Sequence, residues 1–272
     1  MRGKKIKKMN DNIDNESDNK EIVTAFIKGL SVITAFDNEN TSMTLSDVAK
    51  KVDITRASAR RLLLTLESLG YVTQNDNYFS LTPKVIDLGY SYFASLPWTD
   101  LAYKNIKKVV DACKLSCSIS ILDGLNVICI MRIAATRILN EGIHVGTRLP
   151  AAYTATGRLF MAHMEEKELY EYILHLPLKA HTEKSIIDPY KLYDQIISEK
   201  NQGYQMVEEE IEDGLVSLAV PIYNRDNKMI GAMNIGSHLS YKNTKTLKEK
   251  VLPLLLEAAK ETSDAIKLLQ QY

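Results

Sequence analysis

Arg56, Arg60 and Arg61 fall within the first two turns of a run that reads as a helix, Thr55-Arg56-Ala57-Ser58-Ala59-Arg60-Arg61-Leu62-Leu63-Leu64-Thr65-Leu66-Glu67-Ser68-Leu69. A guanidinium donates two hydrogen bonds to a guanine edge in the major groove, and small neighbours such as Ala57 and Ser58 let a helix backbone come close to DNA. Cations at a helix N-terminus oppose the helix dipole, which favours acidic groups there. A phosphate or base edge would supply the missing negative charge; an ordinary solvated helix face is the alternative. A second set of residues has the chemistry of anion binding. Ala155 and Thr156 open a helix after Thr154, where unpaired backbone N–H groups can hold a carboxylate. Asn234 sits between Met233 and Ile235, so its amide, if buried, needs partners that a ligand can supply; Ser217 and Gly236 belong to the same hairpin. Arg132, Arg137 and Arg148 flank this region, and arginine is the side chain best shaped to grip a carboxylate with two bonds. Ion pairs with Glu141 or Glu212 would occupy the same arginines equally well.

Signs of catalysis are missing. Cys113, Cys117 and Cys129 are an odd number, lack zinc-knuckle spacing and read as small buried hydrophobes in a reducing compartment. His144, His163, His175, His181 and His238 are scattered without metal-ligand spacing, and neither a glycine-rich phosphate loop nor a nucleophile elbow is present. The sequence therefore predicts no enzyme, no metal and no cofactor.

The elements that must position the arginines are legible around them. At about 100° per residue, Ala59, Leu62, Leu66 and Leu69 share one side of the helix and the arginines lie on the other. Thr55 is its N-cap, and Gly70 stands where a left-handed residue ends a helix. Upstream, Thr44 with Asp47 forms a capping-box pattern for a short helix from about Leu45 to Val52, with Ser46 in its first turn. An amphipathic helix precedes it from Glu21 to Phe36, carried by Ile22, Ala25, Phe26, Leu30 and Ile33. Downstream, Tyr71–Thr73 and Tyr78–Leu81 flank the polar turn Gln74-Asn75-Asp76-Asn77, a hairpin. Helix, helix-turn-helix and hairpin make a winged helix.

The remainder predicts a second, α+β domain: helices over Lys84–Ala94, Thr99–Lys114, Thr154–Met161, Asp188–Lys200 and a C-terminal one kinked or started at Pro253. Strand pairs are predicted over Ser116–Ile121 with Val127–Ile133 and Leu218–Tyr223 with Met229–Gly236. The expected boundaries are a flexible tail over 1–20, with Arg2, Lys4, Lys5, Lys7 and Lys8, a winged helix over 21–82, a linker helix over 83–95 and an effector-binding domain over 96–272. The 272 residues carry 34 basic and 34 acidic side chains, with 45% hydrophobic and 25% charged, which suits about two globular domains. No run approaches the roughly 20 apolar residues of a membrane helix, and the N-terminus lacks a signal peptide's apolar stretch, so a cytoplasmic protein is predicted. Zero net charge speaks against nucleic acid only as a sum, because the arginines concentrate positive charge locally.

The chain resembles the IclR-type bacterial transcriptional regulators from about Glu21 to its end. Lys28-Gly29-Leu30-Ser31-Val32, Thr44-Leu45-Ser46-Asp47-Val48-Ala49, Thr55-Arg56-Ala57-Ser58-Ala59-Arg60-Arg61, Leu69-Gly70-Tyr71-Val72 and Phe79-Ser80-Leu81-Thr82-Pro83 carry the likeness in the first part. Val145-Gly146-Thr147-Arg148-Leu149-Pro150-Ala151 and Asp213-Gly214-Leu215-Val216-Ser217-Leu218-Ala219-Val220-Pro221 carry it in the second. The branch it is most similar to governs breakdown of protocatechuate and 4-hydroxybenzoate. The resemblance implies a GAF/PAS-like effector domain, a homodimer or dimer of dimers, and a double-stranded DNA operator. It places effector contacts at Ala155, Thr156, Ser217, Asn234 and Gly236, the last two matching more loosely because serines are common there in the family. The candidate DNA contacts are Thr44, Ser46, Thr55, Arg56, Ala57, Ser58, Arg60 and Arg61. Much of the family carries Arg or Lys at the wing tip, where this chain has Gln74–Asn77, so wing contacts to phosphate are expected to be weak. The expected effector is a small organic acid, held by Arg132 and Arg148 with the residues above. An enzyme with a regulatory winged helix, or a winged-helix protein-interaction module, is the alternative.

Overall fold

The computed structural model describes residues 22–96, 98–135 and 142–269; the basic tail, Arg137 and Glu141 lie outside them. The chain divides into two compact units, Met1–Leu96 and Pro97–Tyr272.

In the first unit, α1 (Thr24–Ala35) turns Val32 and Ala35 inward. Strand β1 (Ser42–Thr44) leads straight into α2 (Leu45–Val52), whose start is the expected capping box: Thr44 Oγ1 accepts the Asp47 N–H, and Asp47 Oδ2 accepts the Thr44 N–H at 3.0 Å. The Thr44 hydroxyl, donating to Asp47 Oδ2 at 2.7 Å, and then the Thr44 N–H hold the Asp47 carboxyl below the usual range. Asp53, left-handed at φ 58°, ends α2 and lets the chain turn into α3 (Arg56–Ser68), capped by Thr55 Oγ1 accepting the Ser58 N–H at 3.1 Å. The wing is β2 (Val72–Asn75) and β3 (Tyr78–Leu81), and β1 joins β3 as a third antiparallel strand. Helix α4 (Ile86–Ala94) follows a short turn at Pro83–Val85, and among the described residues none of its side chains is buried.

The buried stripe of α3 differs from the expected one. Ala59, Leu63 and Leu66 are buried, Leu62 lies at the margin and Leu69 is 52% exposed. At helical pitch Leu69 falls about 90° from the centre of the stripe, and it is also the cap residue, where the chain leaves the helix axis. The opposite side stays as expected: Arg56, Ala57, Arg60 and Arg61 are all exposed.

The second unit is built on a six-stranded antiparallel sheet: β4 (Cys117–Asp123), β5 (Asn126–Ile133), β6 (Arg148–Pro150), β7 (Gln205–Glu208), β8 (Leu215–Tyr223) and β9 (Met229–His238), in the order β6-β5-β4-β9-β8-β7. Helix α5 (Trp98–Cys113) and the C-terminal α9 (Leu252–Lys267) cover one face. Helix α6 (Ala155–Ala162) lies on the other, backed by α7 (Glu166–His175) and α8 (Pro189–Glu199) around Met161, Leu169, Ile173, Leu192 and Ile196. Asp188 caps α8 and Pro189 occupies its first turn, as predicted. Pro253 stands in the first turn of α9, after a wide five-residue turn at Leu247–Val251. The α+β class and the element order of the sequence reading hold; α7, β1, β6 and β7 are additions to it. Among the described residues no helix is long and apolar enough to cross a membrane.

Candidate effector pocket and DNA-reading helix

Strand alternation on β4 decides what faces the α6 side of the sheet. Ser118 and Ser120 point there, whereas Cys117 and Ile119 are buried against the opposite layer. Register then lines up a polar row, with Ser118 opposite Arg132 on β5 and opposite Asn234 on β9; Gly236 stands opposite Ser217 on β8. Arg132 Nη1 donates to Ser118 Oγ at 2.9 Å, and Ser120 Oγ donates to Asn234 Oδ1 at 3.2 Å. These residues line a cavity of about 1030 Å³, closed on other sides by Val127, Leu149, Tyr153, Leu215 and the start of α6.

Arg132 is the centre of the electrostatics. It is half-buried, burial pushes its guanidinium pKa down, and no described carboxylate lies within ion-pair distance of it. Glu212 lines the same cavity without pairing to it. A desolvated cation facing an open volume attracts an anion, and a planar carboxylate matches its geometry.

The α6 N-terminus is partly spent. Thr154 Oγ1 accepts the Gly157 N–H at 3.0 Å, and Ser217 Oγ accepts the Ala155 N–H at 3.2 Å. Of the two expected donors, Ala155 is therefore engaged, and Thr156, buried at the cavity wall, makes no hydrogen bond through N–H or hydroxyl among the described residues. Arg132, Ala155, Thr156, Ser217, Asn234 and Gly236 thus converge on one cavity. Arg148 does not join them. Thr147 and Leu149 face the cavity, so alternation along the strand turns Arg148 outward, where it is exposed and ion-paired with Asp123.

Two supports of this wall were not anticipated from the sequence. Gly157 lets α6 lie directly on the turn before it: a Cβ there would fall 2.1 Å from the Ala151 carbonyl oxygen and 2.5 Å from its Cα. Gly157→Ala is expected to cost about 1–3 kcal/mol, read as a lower thermal midpoint, because only backbone can give way. Arg158, 2% exposed, donates from Nη2 to Glu210 Oε2 at 2.6 Å and from Nε to the Ala152 carbonyl at 3.0 Å. Cys113, Cys117 and Cys129 are buried free thiols whose pKa values burial raises, with Cys129 on the cavity wall.

In the first unit, Arg56, Arg60 and Arg61 form no ion pair with any described residue, and Ser46 and Thr55 are exposed. Ser58 lends its N–H to the Thr55 cap, and Thr44 commits its hydroxyl and N–H to Asp47. The wing tip carries Asp76 at φ 53° and no basic side chain.

Comparison with known proteins fits both units. Residues 26–76 match the IclR helix-turn-helix domain, and residues 91–266 match the bacterial transcriptional regulator IclR C-terminal domain. The Pca regulon regulatory protein of Pseudomonas putida is 34% identical over 242 residues, covering 89% of this chain and 83% of that one. A crystal structure described as a transcriptional regulator, RHA06195 from Rhodococcus sp. RHA1, superposes with a TM-score of 0.82 at 37% identity, covering 90% of this chain and 98% of that one. A double mutant of the PobR inducer-binding domain from Acinetobacter, in complex with 3-hydroxybenzoic acid, gives a TM-score of 0.58 at 27% identity, covering 61% of this chain and 98% of that one. The Pca and PobR proteins are of the aromatic-acid branch that the motifs resemble. With an IclR domain matched in each unit, this chain belongs to the IclR family of bacterial transcriptional regulators and is a regulator rather than an enzyme.

Proposed function

We infer that this chain is an effector-responsive regulator whose α3 reads the major groove of a palindromic operator, and whose affinity for that DNA is set by a small aromatic acid in the second unit. The observation that carries the reading is Arg132, a half-buried cation lining a cavity without a described carboxylate partner. The carboxylate of the acid lies against Arg132. Ser118, Asn234 and the free N–H and hydroxyl of Thr156 offer hydrogen bonds to the rest, and Val127, Leu149 and Leu215 offer apolar wall for a ring. The 3-hydroxybenzoic acid in the PobR domain favours an aromatic acid over an aliphatic one.

On this reading, residues 21–82 form the DNA-binding domain, 83–95 a linker and 96–272 the effector domain. A homodimer suits it, since two recognition helices about 34 Å apart read a palindrome better than one. Helix α4 supports the dimer, exposing Ile86 at 71%, Leu88 at 47% and Tyr90 at 68%, more apolar surface than a helix keeps in water without a partner. Effector binding changes DNA affinity only by favouring one arrangement of the dimer over another. Selection of bound fragments from random DNA with the full-length chain supplies the operator. On it, Arg56→Ala and Arg60→Ala are each expected to cost about 1–3 kcal/mol of specific binding by gel shift. Affinity unchanged by both substitutions contradicts the assignment of α3.

A further inference from the structure

Trp98 opens α5, two residues past Leu96, where the first unit ends, and is 1% exposed. Its ring packs on the sheet face opposite the cavity: a Cβ placed on Gly231 of β9 would lie 3.1 Å from Trp98 Cη2 and 3.6 Å from Ile119 Cγ2 of β4. A methyl group at residue 231 would press the indole back by a few tenths of an ångström. The strands beneath it, β4 and β9, are those that carry Ser120 and Asn234, whose mutual hydrogen bond lies in the cavity wall. Ser120 also adjoins an irregularity in the β4–β5 pairing, where Ile130 of β5 is the extra residue between the partners of Ile119 and Ser120. A bulge is a place where a strand adjusts without unzipping, because the local ladder is already broken. The cavity and Trp98 are thus separated by the thickness of one sheet, beside that bulge, and Trp98 lies two residues from Leu96, where the first unit ends.

We propose that Trp98, seated on Gly231 and Ile119, is the transmission point of the regulator: occupancy of the cavity at Ser120 and Asn234 shifts β4 against β9, moves the indole, and thereby re-aims the chain entering from Leu96. This rests on the effector reading above. A packed sheet passes such shifts on because close-packed side chains have no slack to absorb them. Gly231 is needed for tight seating, and any side chain there loosens the coupling without touching the cavity face.

Trp98 is the one tryptophan of the chain, so its emission reports the step directly. Full-length protein is titrated with 4-hydroxybenzoate, followed in parallel by tryptophan emission and calorimetry. The expected emission change saturates with the heat of binding. In Gly231→Ala the heat persists, while the effect of 4-hydroxybenzoate on operator affinity falls by about tenfold or more. Heat without an emission change, or a wild-type operator response in Gly231→Ala, overturns the proposal. A second arm needs no ligand. Ser120→Leu fills the cavity from β4 and is expected to shift emission and operator affinity, whereas Leu149→Phe fills it from β6 and leaves emission as in wild type. Identical emission in both variants overturns transmission through β4. Absent heat together with shifted emission in Ser120→Leu sustains the transmission and counts against the effector reading instead.

Discussion

Arg132→Met is expected to lower the affinity for 4-hydroxybenzoate by about 2–5 kcal/mol, the cost of leaving a carboxylate without its charged partner in a partly buried site. The same substitution leaves folding stability unchanged or raises it. Burial already disfavours the guanidinium and pushes its pKa down, and its one described bond is to the Ser118 hydroxyl at 2.9 Å. Methionine keeps the apolar stem and removes the desolvated charge. Calorimetry with 4-hydroxybenzoate and a thermal melt on the same preparation separate the two effects. A lost heat together with a lower melting midpoint would mark Arg132 as a structural residue.

The opposite pattern is expected at Arg158. Its guanidinium and the Glu210 carboxylate are 2% and 8% exposed, and Glu210 Oε2 also accepts the Ile186 N–H at 3.2 Å. Arg158→Ala leaves that carboxylate buried without its counter-charge and is expected to destabilise the second unit by about 3–5 kcal/mol in chemical denaturation. The double replacement Arg158→Met with Glu210→Leu removes both charges and is expected to recover most of that loss. A single Arg158→Ala as stable as wild type would show that the pair does not brace α6 against the loop at Glu210. Two arginines of the same unit thus part company: one is held by the fold, and the other, on the proposed function, is held out to a ligand.

Residues with local chemistry were the legible ones. Thr44 with Asp47, Thr55 before Arg56, Asp188 before Pro189 and Gly70 after α3 announce helix ends because their side chains or backbone act within four residues of themselves. The alternation of Ser116, Ser118 and Ser120 with Cys117, Ile119 and Ile121 was equally visible, yet which face met the cavity depended on pairing with β9, more than a hundred residues away. Separation along the chain likewise hid Arg158–Glu210, an ion pair between residues 52 apart. Strands β1, β6 and β7, of three or four residues, are too short for a period of two to register. Helix α7 did carry a signal, Leu169, Ile173 and Leu176 at helical spacing, among acidic residues that suit its first turn. Arg148 and Leu69 were misplaced for one reason: spacing along the chain gives the period of an element, and its phase comes from what packs against it.

The most direct test of the account is the affinity of the full-length chain for its selected operator, with and without 4-hydroxybenzoate, in wild type and in Arg132→Met. The expected result is a shift of about 5- to 150-fold in wild type. In Arg132→Met the acid produces no shift, while affinity for DNA without the acid is retained. An equal shift in both proteins would place the acid elsewhere than against Arg132, and an operator affinity indifferent to the acid in wild type would contradict an aromatic acid as the effector.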